Sequence, residues 1–472
     1  MDTHRFVVRE ISKQVKAFHK EKKPFRIFHG SSYSTRAMHN PRAVVHTGDL
    51  RYILDINTDS NFAMVEPNVP MDELARATLK KGLLPPVVPG LRGLMVGGCF
   101  SGTATASSSF KYGYFDQAVA WVECVLPDGK ITRASRTRNP DLFSGLVGTL
   151  GTAVPAAKYV ELTCIPVTTP AESLDVLNSS AEELDNDFVE ALLYGAEAPI
   201  YGVIVVASYL AKRSKSNPLV SFSGRKDPWF NLHVQKTSPS IECVPTMDYL
   251  FRHDRGSFNL GRFAFGRLPF NKWIRWLADS AMHSSDLVQT VKALRWTEHL
   301  IIQDAVIPQS STFLMLEYLE TKVKIYPIHI CPVRHLRQPS TNPTLMRPNP
   351  TRTNLSTSLS IRGYTPSTIH DTIAFIATHR ELEHLVRELG GVKWLYSKNY
   401  YTENEFWRIY DREEYDKLRE KYGASYLANV FEKSRVLETG TMGRVDQAKG
   451  FWKWGFKRTG IVGMKLPPAE LS

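Results

Sequence analysis

The chain has no uncharged apolar run of the ~18 or more residues that a membrane-crossing helix needs, so a spanning helix is not expected anywhere in its 472 residues. Its opening stretch, MDTHRFVVREISKQVKAFHK, lacks the apolar core of a secretory leader. Cysteine is scarce. Cys99, Cys124, Cys164, Cys243 and Cys331 are odd in number, widely spaced and form no CxxC pair. That pattern excludes a disulfide framework or a zinc ribbon and fits reduced thiols in a cytosolic-type compartment. Two nucleotide signatures are also missing. No GxGxxG opens a helix with an acidic residue ~20 positions on, and there is no GxxxxGK[ST] loop. A dinucleotide site here is neither Rossmann nor P-loop.

What is present is ordinary globular material, 43% apolar and 22% charged, which excludes a disordered chain. The formal net charge of +12 favours anionic surfaces and phosphate-bearing cofactors. The basic residues are scattered apart from Lys20 to Lys23 and the tail, and no zinc-finger or RNP-like motif accompanies them. A nucleic-acid partner is therefore not expected. The length exceeds one core and suggests two or three domains of ~100–200 residues.

Periodicity gives an α+β pattern rather than a βαβ repeat. Phe6, Ile11, Val15 and Phe18 predict an opening amphipathic helix. AVVHT (43–47), YILDI (52–56) and FAMVEP (62–67) predict strands, and MDELARATLKKGL (71–83) a helix ended by Gly82. Asp128-Gly129 predicts a hairpin turn. The texture changes near 168, where TTPAESLDVLNSSAEELDNDF begins a second domain with a helix. IYGVIVVASYL (200–210) reads as a strand and REEYDKLREKYG (412–423) as a charged helix. We divide the chain into residues 1–167, a second domain over 168–432, and a basic aromatic tail over 433–472.

Wrapping a pyrophosphate takes exposed backbone N–H groups and little side-chain bulk, which Gly, Ser and Thr provide. Gly30-Ser31-Ser32-Tyr33-Ser34, then Gly97-Gly98 with Ser101-Gly102-Thr103, then Gly148 to Gly151 meet that need in order. Each by itself is an ordinary tight turn; their succession along the first domain is the signal.

With HGSSYSTR, MVEPNVPMDEL, PVVPGLRGLMVGGCFSGTATASSSFKYGYF, ECVLPDGKI and NPDLFSGLVGTLGTAVPAAKYVELTCIP in that order, the chain resembles the PCMH-type FAD-binding domain of the vanillyl-alcohol-oxidase superfamily. Within it, the chain is similar to the delta(24)-sterol reductase (DIMINUTO-like) branch. FVEALLYG (188–195), RHDRGSF (252–258), QDAVIP (303–308), IYPIHICP (325–332) and WLYSKNYYTENEFWRIYD (394–411) carry the resemblance through the second domain. It implies a two-subdomain FAD-binding domain followed by an α+β substrate, or cap, domain.

The resemblance assigns Gly30, Ser31, Ser32, Tyr33 and Ser34 to the FAD pyrophosphate. Gly97, Gly98, Ser101, Gly102 and Thr103 go to the pyrophosphate and flavin. Ser107, Ser108, Tyr112 and Gly113 go to the turn near the isoalloxazine, and Gly148, Gly151 and Val154 to the adenine half. Relatives with covalent flavin commonly have His where Tyr33 stands, so FAD is expected to be noncovalent. The chain departs from the branch at Pro89-Gly90-Leu91-Arg92-Gly93, which replaces a more acidic loop. Thr105-Ala106 stands in place of an Ile-Glu pair, and His329 stands where the branch tends to have Trp.

The implied activity is NADPH-driven, FAD-dependent reduction of an isolated C=C bond in a sterol or terpenoid-like substrate, in specialised metabolism. Such a bond has no carbonyl to polarise it, so a general acid must face the flavin. The candidates are Tyr396 and His253 first, with Arg255 and Asp304, then Tyr326, His329 and Tyr400. No metal site is expected. Two rivals keep the flavin: an oxidase or dehydrogenase using O2, and a cyclase in which the flavin is not redox-active. FWKWGFKR (451–458) is aromatic and basic, a composition suited to peripheral contact with a membrane. The expected location is cytoplasmic, peripheral to the endoplasmic reticulum membrane.

Overall fold

A computed structural model describes residues 2–29, 43–146, 151–152, 154–213, 216–236, 240–263, 270–293, 300–334, 355–365 and 371–436. The Gly30 to Ser34 loop, Gly148 and the 451–458 tail lie outside the described residues.

The opening helix runs Asp2–Lys20 and buries Val8, Ile11, Ser12 and Val15 against Val45 and Leu50. Phe6, expected on that face, is instead 64% exposed: Val8 takes its place in the buried stripe. The strands Val44–His46, Ile53–Asn57 and Phe62–Val65 and the helix Met71–Leu79 form as predicted. The hairpin Trp121–Val125 to Ile131–Ser135 turns on Gly129 at φ 81. A Cβ there would meet Lys16 and the Ser12 carbonyl, so glycine also lets the opening helix sit against the turn.

The second part is built on an eight-stranded sheet. Its order is Ser240–Pro245, Tyr159–Val167, Gly202–Leu210, Phe188–Leu193, Ile328–Arg334, Leu355–Gly363, Ile301–Pro308 and Val392–Lys393, and every neighbouring pair is antiparallel. Tyr159–Val167, which the sequence reading counted with the cofactor domain, pairs within this sheet.

Strand periodicity of two gives the sheet distinct faces. Ala191, Leu193, Ile330, Leu359, Ile361, Ala305 and Ile307 pack under helices Pro170–Glu182, Thr312–Tyr318 and Thr372–Glu388 through Leu177, Met315, Leu316, Phe375 and Leu382. Burying each such side chain stabilises the layer by about 1.5–3 kcal/mol. The opposite face carries Phe188 and Leu192 into the core shared with the first domain. It also carries Glu190, His329, Ser358, Ser360, Arg362 and Asp304, which the register aligns on one side. Polar residues on a covered sheet face need partners, and this face is where the site lies.

Candidate active site

The glycine-rich segment begins with the helix Val96–Ser101. A Cβ on Gly97 would sit 2.7 Å from the Pro67 side chain, whereas one on Gly98 would meet nothing within 4 Å. Gly97 is therefore required by packing, and Gly98 leaves the backbone open on its exposed side, next to exposed Ser101. Gly113 ends the following turn at φ 71, where a Cβ would overlap Gln117. Thr103 is held at φ 49. The hydroxyls here are already committed: Ser101 donates to the Gly97 carbonyl and Ser108 to the Pro86 carbonyl. Ser107 Oγ accepts from Arg252. What this segment offers an anionic cofactor is the open backbone at Gly98; the Gly102 N–H is already bonded to the Gly98 carbonyl. Tyr112 is half-buried, its phenol pushed up by burial. Gly151 and Val154 lie on the short strands that pair with Phe62–Val65 and Leu83–Leu84.

Four links tie this segment to the sheet. Trp394 Nε1 donates to Thr103 Oγ1 at 3.0 Å. Thr105 Oγ1 lies 3.3 Å from Ser358 Oγ, Arg252 Nη2 reaches Ser107 Oγ at 3.1 Å, and Arg334 Nε donates to the Phe110 carbonyl at 2.8 Å. The polar sheet face is thereby held over residues that the family resemblance assigns to the flavin.

Glu190 is the centre of that face and is 1% exposed. Arg252 grips it with Nε to Oε1 at 2.9 Å and Nη2 to Oε2 at 2.7 Å. His253 Nε2 lies 3.1 Å from Oε1 and His329 Nε2 lies 2.7 Å from Oε2. Burial opposes ionising Glu190, but Arg252 and the two imidazoles overcome it and hold its carboxyl well below the usual range. Burial dominates at His253 and lowers it to about 3 against the pull of Glu190. His253 is thus neutral, with Nε2–H donating to Glu190.

Phe258 joins the parts. Its ring stacks on His253 at 4.2 Å and lies 4.8 Å from His329, with the Arg362 guanidinium 4.4 Å from its centroid. The turn that carries it, Gly256 to Asn259, is left-handed at every residue, with φ of 79, 43, 53 and 73. For Ser, Phe and Asn this costs about 1–3 kcal/mol each. The turn is anchored by Trp229 against Gly256 and by Asn231 donating to Asn259 at 3.0 Å. Arg362 Nη2 pairs with Asp304 at 3.2 Å, and Ser360 also donates to that carboxylate. Arg362 Nη1 is buried with no acceptor among the described residues, a donor suited to an oxygen of a bound group. With the open Gly98 backbone, it makes the residues present fit a flavin dinucleotide.

The catalytic candidates separate. His253 and Asp304 fall within one network, through Phe258 and Arg362. Arg255 does not join it: its guanidinium bonds Asp279 at 2.6 Å and the carbonyls of Asp227 and Arg225, pinning a neighbouring turn. His253 stands in this network as a support for Glu190, its charged form disfavoured by burial. Tyr396 is half-buried, two residues beyond Trp394. Tyr326 and Tyr400 pack with the helix-covered core on the other face of the sheet. The sequence reading missed Glu190, Arg252, Phe258, Arg362 and Trp394. A lone carboxylate inside the apolar run FVEALL was the available signal for Glu190. The Pro89 to Gly93 departure lies against the same cluster: a Cβ on Gly90 would be 3.3 Å from His253, and Arg92 Nε lies 3.9 Å from Asp254.

The FAD binding domain family matches residues 8–135. Human delta(24)-sterol reductase is 30% identical over 394 residues, covering 79% of this chain and 74% of the relative. Delta(24)-sterol reductase of Arabidopsis thaliana is 30% identical over 436 residues, covering 83% and 76%. A shorter likeness, 28% over 136 residues, is to decaprenylphosphoryl-beta-D-ribose oxidase of Mycolicibacterium smegmatis, covering 28% of this chain and 30% of that one.

Proposed function

Because the chain belongs to the delta(24)-sterol reductase family and is an FAD-dependent oxidoreductase, we propose that it reduces an isolated C=C bond of a sterol or terpenoid-like substrate, with NADPH as electron donor. The observation that carries this reading is the polar sheet face, cross-linked at four points to the glycine-rich segment, within a chain similar to sterol reductases over most of its length.

Bound FAD supplies hydride. Gly98 presents the open backbone that would hold it, and Arg362 Nη1 offers a hydrogen bond to one of its oxygens or to a substrate oxygen. The arginine charges are balanced, Arg252 by Glu190 and Arg362 by Asp304, so the positive charge that develops on the more substituted alkene carbon meets little net repulsion. A proton must reach the other carbon. We assign it to His329, which stands on the site face with Nε2 on Glu190. The hydrogen bond to the carboxylate fixes the ring, and Nδ1 is the nitrogen left to pass a proton. Arg252, His253 and Phe258 position this pair.

His329, Thr105-Ala106 and Pro89 to Gly93 are the family departures, and His329, Thr105 and Gly90 all touch the site. This supports a role in specialised metabolism, on a substrate shaped differently from a membrane sterol. Among the described residues no helix is long and apolar enough to cross a membrane; we propose peripheral attachment to the endoplasmic reticulum through the 451–458 tail.

The test is turnover of a panel of sterols and terpenoids bearing a trisubstituted alkene, with NADPH, followed by mass spectrometry. A product gaining two hydrogens, one of them from solvent, is expected. Substrate oxidation with oxygen uptake and no NADPH requirement, or isomerisation without mass change, would replace this reading with an oxidase or a cyclase.

A further inference from the structure

The short helix Lys272–Ala278 exposes two indoles outside the site: Trp273 is 70% exposed and Trp276 42%. Water-facing tryptophan is costly for a monomer, and single exposed apolar residues are common enough to mean little. Here the pair sits in a ring of cations. Lys272 Nζ lies 5.2 Å from the Trp273 ring and the Arg225 guanidinium 4.0 Å from that of Trp276. Arg225 also donates to the Trp276 carbonyl at 2.6 Å. Arg275 and Arg262 flank Phe270, with guanidinium-to-ring distances of 4.8 Å and 6.0 Å, and Lys226 is exposed beside Arg225. The nearby acids are engaged: Asp279 by Arg255, and Asp227 by the Gly224 N–H. The patch is therefore aromatic at its centre and positive around it.

We propose that this patch docks on an anionic phospholipid bilayer. Indoles are amphipathic and settle at the boundary between headgroups and acyl chains, and surrounding Lys and Arg meet anionic headgroups. No groove or complementary shape is needed, which matches a short helix whose side chains simply project. The placement serves the site. Phe270 packs on Trp229, which supports the Gly256 turn below Phe258. Phe263, at the end of the intervening helix, lies against Gly363 and Tyr364, next to Arg362. Docking here brings the margin of the site to the lipid surface, where apolar substrates reside. The proposal rests on residues 225–278 alone and does not depend on the reaction proposed above.

The test is flotation of the full-length protein with phosphatidylcholine vesicles, with and without phosphatidylserine, in the absence of substrate. Binding is expected to require phosphatidylserine and to weaken as salt rises. Trp273→Ala and Lys272→Glu should each reduce it at least about fivefold, while Ile373→Ala, at a lone residue 81% exposed elsewhere, should leave it unchanged. Retained thermal stability and flavin content in the variants separate docking from folding. Failure to float, or binding abolished by Trp452→Ala/Trp454→Ala but unaffected by Trp273→Ala, would overturn the proposal. So would Trp273-dependent binding to heparin or polyglutamate without vesicle binding, which would make the partner an acidic macromolecule.

Discussion

Glu190 and Arg252 form a bidentate ion pair, 2.9 Å and 2.7 Å, with side chains 1% and 3% exposed. One residue lies on the central sheet and the other beside the first domain's Ser107, so the pair fastens the two parts around the site. Breaking a buried pair strands a charge. Glu190→Ala is expected to cost about 3–5 kcal/mol of stability, and Glu190→Leu/Arg252→Met less than the sum of its single variants. Denaturant titration of all of these checks it.

Acid sensitivity has a defined source. His253 and His379 are both lowered from 6.5 to about 3, chiefly by burial. Their folded-state values are depressed, so the unfolded chain binds more protons as pH falls below 6.5, and stability is lost between there and about pH 3. Each group adds up to about 1.4 kcal/mol per pH unit. His379 lies away from the site, and its Nε2 has no hydrogen-bond partner among the described residues. His379→Leu should therefore flatten the pH dependence of the melting temperature while leaving activity intact.

The neighbouring glycines should respond differently. Gly97→Ala clashes with Pro67 and is expected to lower stability by about 1–3 kcal/mol. Gly98→Val has room within the protein and should fold, yet lose bound flavin. The melting temperature of apoprotein and the flavin-to-protein ratio distinguish the two.

His329→Phe should retain flavin and lower kcat by about 10²–10⁴-fold. Equal loss from Cys331→Ala, which alters the neighbouring thiol but leaves the imidazole, would argue against a proton-transfer role.

The sequence carried the first domain well, because glycine, serine and turn chemistry act locally: Gly82, Gly113 and Gly129 all stand at positive φ, where side chains are disfavoured. The strand 202–210 was legible from its β-branched run. The site's centre was not. Glu190 and Arg252 are 62 residues apart, and Thr103 and Trp394 are 291 apart, so only strand order brings them together. Arg255 was misplaced for the same reason, since local spacing cannot tell whether a guanidinium turns toward Glu190 or toward Asp279. The left-handed run at Ser257 to Asn259 contradicts local preference and is held by tertiary packing.

The central claim, that this is an NADPH-reducible flavoprotein, is tested most directly by the anaerobic absorbance spectrum of the purified protein before and after NADPH. Flavin bands near ~450 nm that bleach with NADPH are predicted. Bands that bleach only with dithionite would contradict the NADPH-driven reductase, and a colourless protein that cannot be reconstituted with FAD would contradict the account as a whole.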